Sequence, residues 1–470
     1  MHGTSSQTVF PEKFTWGAAA AAYQIEGAAH QDGRGLSVWD TFCEKPGAII
    51  GGHTGEVSCD HYNRFETDVA LMSQIGLQAY RLSVSWTRIF PNGRGRASAV
   101  GLSFYDRLVD SLLAAGVEPW VTLFHWDFPH ELYLQGGWLN RESATWFAEF
   151  VAEVVDVLSD RVSHWITLNE PQCFIGLGHS DGVHAPGLRL SRAEALLAGH
   201  HALLAHGRAV QMIRERAKTK PIITWAPVGV VAVPASDDVA DIEVARRMTL
   251  DEGWNGFWNN TWWADPPLLG HYPEAALRIL GKDAPKVRPG DMELIRQPID
   301  LYGCNTYSGE ICAANAEGLP VKVDAMRGWP ETHYHWKVLP EALYWGPKFL
   351  HERYKLPIVI TENGLSSADW VSVDGCVHDP GRIDYITRYL RELHRAIQDG
   401  VPVEGYFVWS LMDNFEWNEG YRHRFGLVHV DFATQKRTLK DSATWYSEVI
   451  STRGRILSGV RERVPRAAVV

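Results

Sequence analysis

No stretch of the 470-residue chain is both long and apolar enough to cross a bilayer, and basic residues are in the minority. Lys and Arg number 45 against 56 Asp and Glu, which gives a net charge of −11. Nucleic acids and anionic membranes attract proteins through clustered Lys and Arg, so neither is an expected partner. The opening residues, MHGTSSQTVFPEKF, lack the basic-then-apolar order of a signal peptide, and we expect a cytoplasmic protein.

Cysteine is also scarce. The six cysteines are scattered, without a CxxC pair, at positions 43, 59, 173, 304, 312 and 376. This spacing does not indicate a zinc or dithiol site and favours reduced thiols in the core. Among the 20 histidines, His200, His201 and His206 miss the i, i+4 spacing of a helical zinc pair. His333 and His335 lack a nearby third ligand, so we expect no metal and no cofactor.

The chain contains no low-complexity segment and no Pro- or Ser-rich linker that would separate domains. Its composition, 45% hydrophobic and 21% charged, is typical of a globular protein with a large core. A single domain over residues 1–470 is therefore the prediction. Tryptophan is unusually abundant, with 20 copies, and such large aromatics either fill a core or line a ligand site.

Strand-like and helix-like segments alternate along the chain. Apolar, β-branched or aromatic segments predict eight strands, within 14–27 and at 77–86, 117–126, 164–170, 221–227, 299–307, 357–363 and 403–413. Segments with helical apolar spacing predict helices at 104–116, 142–159 and 191–216. Eight strands alternating with helices predict an α/β fold, a single (β/α)8 TIM barrel with extended βα loops.

Two of the predicted strands end on a carboxylate, Glu170 in TLNEP and Glu362 in ITENG. In a (β/α)8 barrel the C-terminal ends of the strands meet at one mouth, where catalytic groups lie. Paired carboxylates suit glycoside hydrolysis, because one donates a proton to the leaving oxygen while the other attacks the anomeric carbon or activates water. From the spacing alone, two unrelated acids in structural ion pairs remain the alternative.

Six segments carry a resemblance to one family. FTWGAAAAAYQIEGA, YRLSVSWTRIFP, FHWDFP, TLNEP, ITENG and VWSLMDNFEW stand in the order of the motifs of glycoside hydrolase family 1, the β-glucosidase family. The resemblance extends from near the N terminus to about residue 446. It implies a retaining enzyme on a (β/α)8 barrel, with Glu170 as acid/base and Glu362 as nucleophile.

Supporting groups are expected near the two glutamates. Arg81, in the second predicted strand, is placed to lower the pKa of Glu362 by its opposite charge, and Tyr307 could donate a second hydrogen bond. An ordinary buried ion pair is the simpler interpretation of Arg81. Asn169 adjoins Glu170, so strict strand alternation would point the two apart unless a bulge or twist ends the strand. The resemblance further implies a cis peptide bond between Trp409 and Ser410.

The resemblance also places the residues that bind sugar. Gln24, His125, Asn169, Glu416 and Trp417 would surround the hydroxyls of the non-reducing sugar, with Trp409 beneath its ring, Asn305 and Trp126 nearby, and Trp336 as the platform for a second sugar. Taken singly, the tryptophans could be packing aromatics, and His125 could satisfy a backbone carbonyl. Gln172 stands where many relatives carry Trp, which leaves the leaving-group preference open.

The expected substrates are small-molecule β-glucosides, from aryl and alkyl glucosides to cello-oligosaccharides. Glu416 argues against 6-phosphoglucosides, because a carboxylate facing the outer hydroxyls would repel a phosphate. Two alternatives stay open: β-galactosidase or β-fucosidase specificity in the same family, and a non-hydrolytic sugar-binding barrel, which typically lacks one or both carboxylates. The sequence does not indicate the oligomeric state.

Overall fold

The computed structural model describes residues 8–458, and within them eight parallel strands form one sheet. The strands are β1 (Thr15–Ala19), β2 (Ala79–Ser83), β3 (Glu118–Phe124), β4 (His164–Asn169), β5 (Ile222–Ala226), β6 (Tyr302–Asn305), β7 (Ile358–Asn363) and β8 (Val403–Trp409). Their order in the sheet is β5-β4-β3-β2-β1-β8-β7-β6. The predicted single domain, 1–470, extends beyond the described residues at both ends. The first seven residues of the segment MHGTSSQTVFPEKF also lie outside them.

Backbone hydrogen bonds close this sheet between β5 and β6. The Asn305 N–H donates to the Pro227 carbonyl at 3.0 Å, and the Gly229 N–H donates to the Asn305 carbonyl at 2.8 Å. Closing a sheet removes its edge strands. With helices between successive strands, the architecture is the predicted (β/α)8 barrel.

Helices connect the barrel strands. A long α-helix follows each of seven strands: His61–Ile75, Ala99–Ala114, Ser143–Leu158, Arg192–Arg216, Ala342–Tyr354, Pro380–Gln398 and Asp441–Thr452. Between β5 and β6 lie Val239–Thr249, Thr261–Leu269, Glu274–Leu280 and Asp291–Ile295. Shorter helices occupy the βα loops at Ala22–Ile25, Val38–Cys43, Trp86–Ile89 and His130–Tyr133, and a π-helix, Gln172–Asp181, follows β4.

Smaller elements complete the described fold. Short 3-10 helices lie at Ile50–Gly52, Gly137–Leu139, Gly281–Asp283, Trp417–Glu419 and Arg455–Leu457. Outside the barrel, Ala232–Pro234, Glu310–Ala314 and Pro320–Lys322 form a three-stranded sheet, and Val428–Val430 pairs with Arg437–Leu439. The last pair lies directly after the loop that follows β8.

Local sequence explains where several helices begin. Helix Arg192–Arg216 starts at a capping box, in which Ser191 and Glu194 exchange side-chain-to-backbone hydrogen bonds. Ser98 caps Ala99–Ala114 by accepting from the Gly101 N–H. Pro380 opens the helix Pro380–Gln398, at a position where no intrahelical N–H is needed.

The predicted strands and helices are all present, and the strands are shorter than predicted. The opening strand lies within 14–27, and the other seven predicted strands match β2 to β8. Two predicted strands continue furthest past the observed C-terminal ends. The prediction 77–86 passes the end of β2 at Ser83 and reaches Trp86, which begins a short helix, and 403–413 passes the end of β8 at Trp409. Apolar residues continue past these strand ends into buried loops, and apolar content alone does not mark where hydrogen-bonded pairing stops. The predicted helix at 104–116 begins earlier, at Ala99.

Apolar side chains fill the inside of the barrel. Trp120 of β3 packs on Phe407 of β8 with ring centroids 4.9 Å apart, in a cluster that includes Ile166 and Val359. Alternate residues of a strand share a face, so Arg81 lies on the same face of β2 as the clustered Ala79. The apolar cluster therefore forms a packed floor below the polar barrel mouth.

The cysteines and the membrane prediction can be compared with the structure directly. Five cysteines are buried and unpaired, as predicted, but Cys376 is exposed. The interpretation of all six as core thiols is wrong for Cys376, which lies in a solvent-facing loop between β7 and the helix Pro380–Gln398. Within residues 8–458 no helix is long and apolar enough to span a membrane. The cytoplasmic location stays a prediction.

Gly17 of β1 tests the packing of the barrel floor. A Cβ at Gly17 would lie 2.4 Å from Phe407 Cδ1 and 2.9 Å from the Ala79 carbonyl oxygen. We expect Gly17→Ala to lower the free energy of unfolding by about 1–3 kcal/mol through overpacking, measured by denaturant unfolding. In the control, Gly381→Ala, the new Cβ would lie 3.8 Å from Leu365 Cδ2, and stability should be unchanged or higher. Equal losses in both variants would contradict the packing argument.

Candidate active site

Glu170 and Glu362 both lie at the mouth of the barrel. Glu362 is the penultimate residue of β7, and Glu170 directly follows β4. Only 7% of Glu170 and 4% of Glu362 is exposed. A buried carboxylate is costly unless other groups compensate its charge, so the partners of each glutamate indicate how it is used.

Glu362 is held by a charged and a neutral donor. Arg81 Nη1 lies 2.5 Å from Glu362 Oε1, and the Tyr307 hydroxyl donates to Oε2 at 2.7 Å. Arg81 is itself fixed by the Thr361 carbonyl at 3.1 Å, by Asn169 Oδ1 at 2.6 Å and by Thr122 Oγ1 at 3.2 Å. Each carboxylate oxygen of Glu362 therefore has its own donor.

Glu170 is held by amides instead of a cation. Asn305 Nδ2 donates to Glu170 Oε1 at 2.9 Å, and Asn169 Nδ2 lies 3.4 Å from Oε2. The same Asn305 amide donates to Asn169 Oδ1 at 2.9 Å. Asn169 thus accepts from both Arg81 and Asn305, and this links the two glutamates through one hydrogen-bonded network.

Backbone irregularities allow the adjacent Asn169 and Glu170 to face the same site. The β4–β5 register shifts between Ile166 and Asn169, and Glu170 has a left-handed φ of 46°. The register of β7 also shifts against β6 between Ile360 and Glu362. The predicted bulge or twist at the end of β4 is confirmed, and the strand carrying Glu362 has one as well.

The two glutamates have different electrostatic surroundings. Burial, followed by the neighbouring charge of Glu362, raises the pKa of Glu170 to about 8. Burial also raises the pKa of Glu362, opposed by the charge of Arg81 and by the Tyr307 hydrogen bond. Arg81 lowers the pKa of Glu362, as predicted, although burial outweighs this effect and the net pKa is raised. The charge of Arg81 favours the ionised form of Glu362, and no cation is paired with Glu170 in the same way.

A third buried carboxylate, Glu416, lies in the same site. Burial, then the charges of Glu362 and Glu170, raises its pKa well above the ordinary value. Gln24 Nε2 donates to Asn414 Oδ1 at 3.0 Å and to the Phe415 carbonyl at 2.9 Å, and lies 3.4 Å from Glu416 Oε2. Gln24, on the short helix after β1, therefore joins the loop that follows β8.

His125 and the tryptophans line the rest of this side. The Asn169 amide donates to His125 Nε2 at 3.1 Å, and burial together with Arg81 lowers the pKa of His125, so the ring is neutral. Trp126 and Trp417 pack with ring centroids 4.5 Å apart, and the His125 ring stacks on Trp409 at 5.8 Å. The Trp409–Ser410 peptide bond is cis, as predicted.

Trp336 packs beside Tyr307, the residue whose hydroxyl donates to Glu362. Its ring centroid is 5.2 Å from that of Tyr307 and 4.7 Å from that of Tyr334, with which it is stacked. Trp336 is partly buried. The structure thus brings every sequence-predicted site residue to one barrel mouth.

A model of the family described as glycosyl hydrolase family 1 matches residues 6–455 of the chain. The chain belongs to glycosyl hydrolase family 1. It is therefore a glycoside hydrolase, and the resemblance inferred from the six motifs is confirmed.

Named relatives of this family 1 enzyme are similar over nearly their whole length. β-Glucosidase A of Thermotoga maritima is 46% identical over 447 residues, covering 95% of this chain and 98% of the relative. β-Glucosidase A of Acetivibrio thermocellus is 42% identical, covering 96% and 100%. The structure of the Thermotoga maritima β-glucosidase in complex with deoxynojirimycin superposes with a TM-score of 0.87 at 45% identity, covering 95% of this chain and 99% of that one.

Several groups in the family 1 site were not singled out from the sequence. Thr122 and the Thr361 carbonyl hold Arg81, and Thr361 Oγ1 donates to Asn305 Oδ1 at 2.6 Å. Asn414 orients Gln24, although it stands inside the quoted segment VWSLMDNFEW. Alternation along β3 and β7 could have indicated the threonines, whereas the pairing of Gln24 with Asn414 spans distant parts of the chain and left no local signal.

Gln172, which follows the segment TLNEP, does not face outward as a free polar group. It is fully buried; its Nε2 donates to the Val228 carbonyl at 3.2 Å, and its Oε1 accepts from the Val228 N–H at 3.3 Å. This pair joins the segments that follow β4 and β5. Within residues 8–458, no group of three or more His, Cys, Asp or Glu side chains is arranged to hold a metal ion.

The charge coupling between the glutamates of this family 1 enzyme is testable by titration. In Glu362→Gln we expect the pKa of Glu170 to fall from about 8, because a neighbouring negative charge is removed, but to stay above its ordinary value because burial remains. Carbon-13 NMR of side-chain-labelled glutamate measures this pKa. Glu416→Gln is the matched control and should shift the pKa of Glu170 less. An unchanged or higher pKa in Glu362→Gln would contradict the coupling.

Proposed function

We propose that the chain is a retaining β-glucosidase that removes the non-reducing terminal β-D-glucosyl residue from aryl and alkyl glucosides and from cello-oligosaccharides. The observation that carries the proposal is the unequal support of two buried carboxylates at one barrel mouth. Glu362 is paired with Arg81, whereas Glu170 is held by amides and keeps a proton near neutral pH. The β-glucosidase activity of the relatives described above supports the same reaction.

In the proposed first step, Glu362 is the nucleophile and Glu170 the acid. An oxygen of Glu362 forms a bond to the anomeric carbon as the bond from that carbon to the leaving oxygen breaks, and Glu170 transfers its proton to the leaving oxygen. The product is a covalent glucosyl ester of Glu362. Because Glu170 must start protonated, kcat/KM should fall as the pH rises through its pKa of about 8.

In the second step, Glu170 changes from acid to base. Esterification removes the negative charge of Glu362, which is one cause of the raised pKa of Glu170, so that pKa falls. Glu170, now ionised, takes a proton from water while the water oxygen attacks the anomeric carbon and the ester bond breaks. Two inversions at one carbon give net retention, and Glu170 is reprotonated for the next cycle.

The remaining site residues are proposed to bind the sugar. We assign the hydroxyls of the non-reducing glucose to Gln24, His125, Asn169, Glu416 and Trp417, with Trp409 beneath the ring, Asn305 and Trp126 nearby, and Trp336 as the platform of the second sugar. The contacts of Gln24 with Glu416 and of Asn169 with His125 support this assignment, since they fix donors and acceptors in one layer of the site. Arg81, Asn169 and Tyr307 support the two glutamates.

Two alternatives to a β-glucosidase are a non-hydrolytic sugar-binding barrel and a glycosidase with another sugar specificity. A non-hydrolytic sugar-binding barrel has no need of two carboxylates held in chemically different surroundings, as Glu170 and Glu362 are. β-Galactosidase and β-fucosidase specificities use the same chemistry and would appear as ratios of kcat/KM on the corresponding aryl glycosides.

The stereochemistry of the first product tests the proposed mechanism. Proton NMR of early turnover of an aryl β-D-glucoside should show β-glucose before mutarotation produces the α-anomer, because retention needs two displacements. Glu362→Gln should abolish this release, whereas the control Glu404→Gln, at the exposed start of β8, should not. α-Glucose as the first product would require carboxyl groups about 6.5–9.5 Å apart and would overturn the nucleophile role. Sugar binding without release would favour the non-hydrolytic alternative.

The charge of Glu416 should disfavour phosphorylated substrates. We expect an aryl glucoside to have a higher kcat/KM than its 6-phosphate, because the phosphate would enter a site with three buried carboxyl groups. Glu416→Ser should narrow the ratio between the two substrates by removing one of these groups. Faster turnover of the 6-phosphoglucoside by the unmodified enzyme would contradict the specificity.

A further inference from the structure

A cluster of six charged side chains lies between the segment after β7 and the loop after β8, outside the site described above. It consists of three acids and three bases: Asp369, Asp379, Asp413, Arg382, Arg424 and Lys440. Apart from Arg424, at 19% exposure, each side chain in the cluster is at most 6% exposed. The charges balance within this six-residue cluster, as buried charges require.

Lys440 is the bridge within the cluster. Its Nζ lies 2.5 Å from Asp369 Oδ2 and 2.7 Å from Asp413 Oδ1, and its side chain is fully buried. Burial and Arg382 lower the pKa of Lys440, while Asp413 and Asp369 oppose this lowering. One ammonium group therefore joins two carboxylates that lie 44 positions apart in the sequence.

One of these carboxylates, Asp413, belongs to the loop that carries Glu416. Asp413 Oδ2 lies 2.5 Å from Arg424 Nη1, and Asp413 Oδ1 accepts from the Gly426 N–H at 3.0 Å. The Asp413 N–H donates to the Val428 carbonyl at 2.9 Å. These contacts of Asp413 fix the position and the direction of the chain three residues before Glu416.

The other carboxylate, Asp369, is tied to the segment that follows Glu362. Arg382 Nη1 donates to Asp369 Oδ2 at 2.8 Å. Arg382 Nη2 donates to the Leu365 carbonyl at 3.2 Å and to Ser367 Oγ at 2.7 Å. Leu365 stands only three residues after Glu362, so this half of the cluster fixes the chain as it leaves β7.

We propose that Lys440 is a positioning residue that sets the place of Glu416 relative to Glu362 by holding Asp413 and Asp369 together. The inference rests on the proposed function, in which Glu416 binds the hydroxyls of the sugar whose anomeric carbon Glu362 attacks. Salt bridges in the interior contribute little net stability compared with apolar packing, but they are directional. The link through Lys440 would fix the loop after β8 relative to the segment after β7, and a binding site built from both segments needs that fixed position.

Removal of the Lys440 charge tests the proposal. Lys440→Met keeps the length and apolar stem of the side chain but leaves Asp413 and Asp369 without their shared cation. We expect kcat/KM for an aryl β-D-glucoside to fall on the order of 100-fold, as a misplacement of about 1 Å can produce. Lys440→Arg, which keeps the charge, should recover part of the loss. A folded Lys440→Met variant with unchanged kcat/KM would overturn the proposal.

A double-mutant cycle separates positioning from general destabilisation. If Lys440 acts through Glu416, Lys440→Met should have a much smaller effect on kcat/KM in a Glu416→Gln background than in the unmodified enzyme. Full additivity of the two losses would show that Lys440 does not act through Glu416. A merely structural role would lower the amount of folded enzyme equally in both backgrounds and leave KM unchanged.

Two further variants keep the test decisive. Arg353→Met is the control: it breaks another ion pair, with the buried Asp265 on the outer helices, and should change stability but not kcat/KM. If Lys440→Met does not fold, Lys440→Met/Asp369→Asn removes one charge of each sign, and unchanged kcat/KM in this variant would refute the proposal. Because the unmodified enzyme is measured in the same assay, absence of glucosidase activity there would refute the proposed function independently of Lys440.

Discussion

The ion pair between Arg81 and Glu362 is the interaction on which the rest of the site depends. Arg81 projects inside the barrel, almost fully buried, and contacts β3 through Thr122, β4 through Asn169 and β7 through Thr361 and Glu362. A guanidinium in this position is tolerable only because acceptors surround it. Its fork geometry gives Glu362 and Asn169 fixed places, and Asn169 and Asn305 in turn position Glu170.

The same arrangement explains how identical side chains acquire different roles. Three carboxyl groups, those of Glu170, Glu362 and Glu416, share a buried site with one guanidinium, so all three have a raised pKa. The one paired with Arg81 is the one best able to remain ionised. Buried carboxyl groups cost stability and are retained where function requires them. The closely packed barrel floor holds the strands that carry them in place.

Much of this could be predicted from the sequence, because strand composition and motif order are local signals. The eight strands, the position of Glu170 and Glu362 at the barrel mouth and the cis bond before Ser410 are confirmed. The net rise in the pKa of Glu362 leaves no signal in the sequence, since burial depends on every element around it. The pairing of Gln24 with Asn414 and the cluster around Lys440 were missed for a related reason: contacts between residues far apart in the chain leave no periodicity to detect.

The central claim is that Glu362 forms a covalent bond with the sugar, and trapping that ester tests it most directly. A 2-deoxy-2-fluoro-β-glucoside with a good leaving group should accumulate the intermediate, because the fluorine destabilises the oxocarbenium-like transition states while the leaving group favours the first step. Peptide mass spectrometry should then place one fluoroglucosyl group on Glu362, in the segment PIVITENG. A label on Glu170 or Glu416, or turnover of the plain glucoside without any covalent adduct, would contradict the account.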